Sequence, residues 1–294
     1  MKSVEDRTSF MIGMPSSGKT TFLVSLANML MVGEQETLLC LESCDSLEGI
    51  ENIQKEIENF TRFQPVGRTI RTAGGWLKIP LLDGQGNKIW LRIPDLSGEV
   101  FMDLISERRL KKDIAAQLQT ADTLLFFLNL DTITEERRIP LGEESAMEII
   151  EKDYGNKVIK SGKDCSIVAD EEKKRLITQA DLVELMQCVL YLVKRRVNVK
   201  FIISAWDSIE KQLDPGDRMP EKCMEKFLPL FFQYFHSNSS QIDGEIWGVS
   251  AQGFDFTNPE ELEKWKMDDI WEHAKVITPS GEETHDLTTL LFLN

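Results

Sequence analysis

Eight consecutive residues carry the clearest chemistry in this chain: Gly13-Met14-Pro15-Ser16-Ser17-Gly18-Lys19-Thr20. The spacing Gly-x-x-x-x-Gly-Lys-Thr suits a loop that wraps phosphate groups. Gly13 and Gly18 let the backbone turn its N–H groups inward. Pro15, Ser16 and Ser17 complete the loop, and a helix starting near Gly18 adds its N-terminal dipole. Lys19 has the reach to meet β- and γ-phosphates, and the Thr20 hydroxyl can ligate Mg²⁺. Thr21 continues the helix beside them and is grouped with the nucleotide-binding residues.

A second constellation is Asp95-Leu96-Ser97-Gly98-Glu99, directly after an alternating apolar segment. An Asp at such a strand end holds the metal of a phosphate loop, usually through water. The Gly98 N–H is placed to meet a γ-phosphate, and Glu99 follows it. Lys19, Gly98 and Glu99 are therefore the candidate catalytic residues.

These residues need elements to position them. Ser9-Phe10-Met11-Ile12 reads as a first strand ending at Gly13, and Phe22, Leu26, Met29 and Leu30 recur at helical steps behind it. A polar stretch from about 42 to 75 holds a helix over Leu47 to Phe60. Leu77, Ile79 and Leu81 alternate, as do Ile89, Leu91 and Ile93, around Asp83-Gly84-Gln85-Gly86-Asn87; this predicts a hairpin. Thr123 to Asn129, Val199 to Ser204 and Ile246 to Val249 read as further strands. Thr178-Gln179-Ala180-Asp181 resembles a capping box, with an apolar stripe behind it and Lys194-Arg195-Arg196 closing the helix. Strands alternating with helices predict an α/β fold. The expectation is a mainly parallel sheet with one antiparallel edge from the hairpin and helices on both faces. One domain over 1–294 is expected, with an insertion at about 135–174 and a helical extension from about 258 to 294.

Composition narrows the partners. The 294 residues carry 49 Asp and Glu against 34 Lys and Arg, a net charge of −15, which argues against nucleic acid or an anionic membrane surface. Five cysteines form no CxxC pair and only three histidines exist, so a structural zinc site is not expected. An odd cysteine count and no secretory leader suit a reducing, cytoplasmic compartment. No stretch of eighteen apolar residues predicts a membrane span.

The phosphate loop followed by DLSGE resembles the translation-factor class of Ras-like GTPases. That resemblance implies GTP or GDP with Mg²⁺ held by Thr20, Asp95 and a threonine from the loop before the hairpin. Thr69 and Thr72 are the candidates there, Thr72 preferred because it lies nearer the strand. Many members place a water-orienting Gln where this chain has Glu99, whose carboxylate repels a γ-phosphate and puts fast intrinsic hydrolysis in doubt. Arg108 and Arg109 follow on the next helix and read as surface residues rather than charge-stabilising arginines. Guanine selection in the class rests on Asn-Lys-x-Asp; here Ser204-Ala205-Trp206-Asp207 keeps only the Asp. Asp207 stands where the base-reading carboxylate belongs, and Trp206 reads either as a cover for the base or as core. Val249-Ser250-Ala251-Gln252 resembles the Ser-Ala loop that backs guanine.

GMPSSGKTTFLVSL, DLSGE, the TLLFFLNLD strand, VSAQG and the closing ITPSG and HDLTTLLFL runs together resemble the bacterial double-GTPase type-one family. The resemblance leaves the 135–174 insertion uncovered. It implies a GTP-binding switch with slow, partner-stimulated hydrolysis, set among bacterial conflict systems, with protein partners that include a regulator, an effector or a second GTPase. A nucleotide-dependent scaffold with negligible turnover and an ATP-binding protein are the rival readings.

Overall fold

The computed structural model describes residues 7–33, 36–42, 53–67, 77–93, 99–133 and 177–291. Nine strands form one sheet in the order β2-β3-β4-β1-β5-β6-β7-β8-β9. They are β1 (Arg7–Gly13), β2 (Leu39–Leu41), β3 (Leu77–Asp83), β4 (Lys88–Ile93), β5 (Thr123–Leu128), β6 (Val197–Ser204), β7 (Ile242–Ser250), β8 (Lys275–Ile277) and β9 (Glu283–Thr284). The five central strands, β4 to β7, run parallel. Such strands are covered on both faces, which explains why every residue of Thr123-Leu124-Leu125-Phe126-Phe127-Leu128 is buried.

The two-residue alternation sorts the core. Phe10, Ile12, Leu124, Phe126, Phe201 and Ile203 face one layer. That layer contains α3 (Glu99–Glu107), α4 (Lys112–Thr120), α5 (Gln179–Val193), α7 (Pro220–Phe227) and α8 (Pro229–Ser237). Met11, Leu125, Phe127, Ile202 and Val249 face the other, with α1 (Lys19–Val32), α2 (Gln54–Thr61) and the C-terminal segment. The capping box that opens α5 is present: the Thr178 hydroxyl accepts from the Asp181 N–H at 3.3 Å, and the Asp181 carboxylate accepts from the Thr178 N–H at 2.9 Å.

The expected hairpin forms, pairing Ile79 with Leu91 and Leu81 with Ile89. Asp83 holds its loop, its carboxylate accepting from the N–H groups of Gln85 at 2.9 Å and Asn87 at 2.7 Å. This Asx-type turn closes five residues without a tight two-residue bend.

The edges differ from expectation. The hairpin edge carries a further short strand, β2, antiparallel to β3. A second antiparallel edge, β8 and β9, lies beyond β7. The C-terminal segment is thus not a helical extension: α9 (Pro259–Trp265) is its one α-helix among the described residues, and 3₁₀ turns and two strands follow. Runs of two or three residues are too short to show a period, so only sheet pairing defines them. The expected insertion at 135–174 and the helix start at 47–52 lie outside the described residues.

Candidate nucleotide-binding site

The site sits where the carboxyl ends of the parallel strands diverge. In the sheet β1 lies between β4 on one side and β5 on the other, the switch of direction at which a crevice opens above the end of β1. Gly13 ends β1 against β5: a Cβ there would lie 2.6 Å from Ser17 Oγ and 2.9 Å from the Phe127 carbonyl oxygen. Only glycine permits that approach. Ser16 turns with φ of 60°, and Gly18 with φ of 87° opens α1. No side chain caps that helix, so its first N–H groups are free to meet an anion.

Lys19 is buried against its own loop. Its ammonium donates to the carbonyls of Gly13 at 2.8 Å and Met14 at 2.7 Å, and to Ser17 Oγ at 2.9 Å. All three donors of the group are thereby used. Burial pushes its pKa down to about 7, while the three oxygens favour the charged form and oppose that shift.

Two strand ends hold the loop from above. The Asn129 amide, just past β5, donates to the Ser16 carbonyl at 3.0 Å. Ser204, ending β6, donates to the Leu128 carbonyl at 3.2 Å and approaches Gly18 so closely that a Cβ there would meet it at 2.9 Å. Ser204 thus packs against the loop in place of a longer side chain.

The opposite wall is built by α6 (Trp206–Glu210) and the turn after β7. Ala205 stands in the left-handed region, φ 53°, and starts α6. Trp206 is wholly buried and lies flat under Gly248, where a Cβ would meet the indole at 2.6 Å. Of its two expected roles, core is the one it takes. With Trp206 pointing in, Asp207 faces the cavity. The buried Ser250 hydroxyl donates to Asp207 Oδ1 at 2.5 Å and accepts from the Gly253 N–H at 3.1 Å. One carboxylate oxygen is thereby anchored and the other stays available.

One cavity of about 610 Å³ joins these parts, a size ordinary for small-molecule sites. Pro15 to Thr21, Glu99, Asp207 and Ala251 line it, with Ser250 behind. Glu99 is exposed at the first position of α3. Asp95, Gly98, Thr69 and Thr72 lie outside the described residues. Arg108 and Arg109 follow α3 and do not line the cavity; Arg108 pairs with Glu184 on α5, and Arg109 with Glu107 at 3.8 Å. Sequence reading missed Asn129, Val66, Gly67 and Asp255 as lining residues. Asn129 alone left a signal, a polar residue closing the apolar run TLLFFL.

A family model described as Double-GTPase 1 matches residues 10–292. The chain belongs to the Double-GTPase 1 family. Among solved structures it is similar to the GTPase-like domain of S. cerevisiae Ski7, bound to GTP, over 84% of this chain and 43% of that one, at 11% identity and a TM-score of 0.37. It is also similar to Sup35 complexed with GDP, over 85% of this chain and 38% of that one, at 11% identity and a TM-score of 0.34. The Double-GTPase 1 chain therefore spans less than half the length of either. Comparison with curated proteins gives no match. Among the described residues, no helix is long and apolar enough to cross a membrane.

Proposed function

We propose that this protein binds GTP with Mg²⁺ in the crevice above β1 and acts as a switch with slow hydrolysis. The observation that carries the reading is that the Lys19 loop and the Ser250-anchored carboxylate of Asp207 line one cavity. A carboxylate there accepts from guanine N1–H and its exocyclic amine, a pair that adenine lacks. The loop N–H groups and Lys19 hold the phosphates, and Gly98 reports the γ-phosphate. Thr20, Asp95 and Thr72 are the residues that would hold the metal, which would supply charge neutralisation to the phosphates. In this reading one GTPase domain spans the chain, with an insertion near 135–174.

Hydrolysis in such a site rests on positioning and electrostatics, and without an added arginine it runs on the order of 10⁻⁴ s⁻¹. Glu99 lines the cavity as an exposed carboxylate, which favours the slow end and keeps the scaffold reading as the second. We infer that a partner protein, or a second GTPase, completes the site. The setting in bacterial conflict systems rests on the sequence resemblance, and the cytoplasmic one on the cysteine usage.

Calorimetry with GTP and ATP tests the base. GTP is expected to bind more tightly, and Asp207→Ala to erase that preference before it erases binding; equal or tighter ATP binding by the native chain refutes the guanine reading. Single-turnover hydrolysis with and without companion proteins tests the enzyme. GTP left intact in every mixture, with binding tight, leaves the scaffold.

A further inference from the structure

The two walls of the cavity are tied together by a ring stack. On one side α2 ends at Thr61, and the chain turns through Phe63, φ 54°, to bring Val66 and Gly67 into the cavity lining. On the other, the turn after β7 brings Ala251, Gln252 and Asp255 into it. Phe63 meets Phe254 at 5.9 Å and Phe256 at 5.5 Å between ring centroids, Phe60 meets Phe256 at 5.6 Å, and Phe254 meets Phe256 at 5.0 Å. Tilted and edge-on pairs at such separations are attractive beyond their buried area.

Both ends of the stack are pinned. The Gly67 N–H donates to Glu56 on α2 at 2.7 Å, so the lining residue is fixed to the helix that carries Phe60. Gly253, directly before Phe254, has φ of 83° and sits so close to His273 that a Cβ would lie 2.4 Å from its carbonyl oxygen. The same Gly253 donates its N–H to Ser250, which holds Asp207. A continuous set of contacts therefore runs from Asp207 through Ser250, Gly253, Phe254 and Phe63 to Val66 and Gly67.

We propose that the Phe60, Phe63, Phe254 and Phe256 stack is a positioning element for the nucleoside end of the site, closing Val66 and Gly67 against the Asp207 wall. The inference rests on the reading of this cavity as a nucleotide site. The Phe254 and Phe256 half of the stack belongs to the same turn as Ser250 and Gly253, which hold the base-reading carboxylate, while the phosphate loop is held separately by Asn129 and Ser204. Its contribution is therefore assigned to base and ribose, and any effect on the phosphates would run through the metal residues Thr69 and Thr72 beyond Gly67.

The test compares GTP with inorganic tripolyphosphate, each titrated without Mg²⁺, so that the metal residues beyond Gly67 add nothing, against a bound fluorescent GTP analogue. Phe63→Ala is expected to weaken GTP about tenfold and to change tripolyphosphate by less than about twofold. Glu56→Ala, which releases Gly67 without touching a ring, is expected to weaken GTP in the same direction and decides the matter if Phe63→Ala does not fold. Equal losses for both ligands, or no loss of GTP in Glu56→Ala, overturn the positioning role. If the native chain binds neither the analogue nor GTP, the nucleotide reading itself fails, and that result is separate from the variants.

Discussion

Lys19 offers the sharpest quantitative test, because the residue that should grip phosphate burdens the nucleotide-free protein. Burial lowers its pKa from 10.5 to about 7. At about 1.36 kcal/mol per pH unit, that drop corresponds to roughly 5 kcal/mol of unfavourable burial at neutral pH. The figure is an upper limit, since three oxygens at 2.7–2.9 Å return part of it. The sign follows from proton counting. Between pH 7 and 10.5 the unfolded chain keeps the lysine proton and the folded chain gives it up, so stability rises with pH across that window. Lys19→Met removes the titration and keeps the aliphatic bulk. Urea unfolding of the nucleotide-free native and variant proteins at pH 7, 8 and 9 isolates the effect, because the other groups cancel in the difference. The variant is expected to be the more stable at pH 7, and its advantage should shrink by about 1 kcal/mol per pH unit as pH rises. GTP should reverse the balance: phosphates recharge the lysine, so binding at pH 8.5 takes up close to one proton in the native chain, read by calorimetry in buffers of different ionisation enthalpy. A difference that stays flat within about 0.3 kcal/mol from pH 7 to 9 refutes the argument.

Three further outcomes follow from single contacts. Ser250→Ala removes the donor to Asp207 and leaves the Gly253 N–H without its acceptor; it should cost about 1–3 kcal/mol in denaturant unfolding and narrow the GTP-to-ATP preference measured by calorimetry. Asn129→Ala frees the Ser16 carbonyl and should weaken GTP and ATP by the same factor, about fivefold for a bond worth about 1 kcal/mol, because it acts on the loop and not on the base; a base-selective loss counts against that assignment. Gly248→Ala drives a methyl to 2.6 Å from the Trp206 indole; it should lower stability by about 1–3 kcal/mol and displace Asp207, so thermal unfolding and GTP affinity should fall together.

The sequence by itself determined the parts whose causes are local. The phosphate loop is legible because each residue type answers to backbone freedom, reach or metal ligation within eight positions. The capping box at Thr178 and Asp181 and the hairpin around Asp83 are local in the same sense, and two-residue alternation was enough to place the apolar face of the hairpin, where Ile79, Leu81, Ile89 and Leu91 share one core. The burial of β5 was legible as an unbroken apolar run. Tertiary structure decided what depends on residues far apart in the chain. Asp207 and Ser250 are 43 positions apart and Ser16 and Asn129 are 113 apart, and no spacing rule links either pair. The role of Trp206 was open in the sequence, because an indole beside a motif suits a base as well as a core; its close packing against Gly248 settled the matter. The strands β8 and β9 and the ring stack between α2 and the turn after β7 had no signature of their own. Such elements exist through pairing and packing alone, and those energies appear only when the chain has closed on itself.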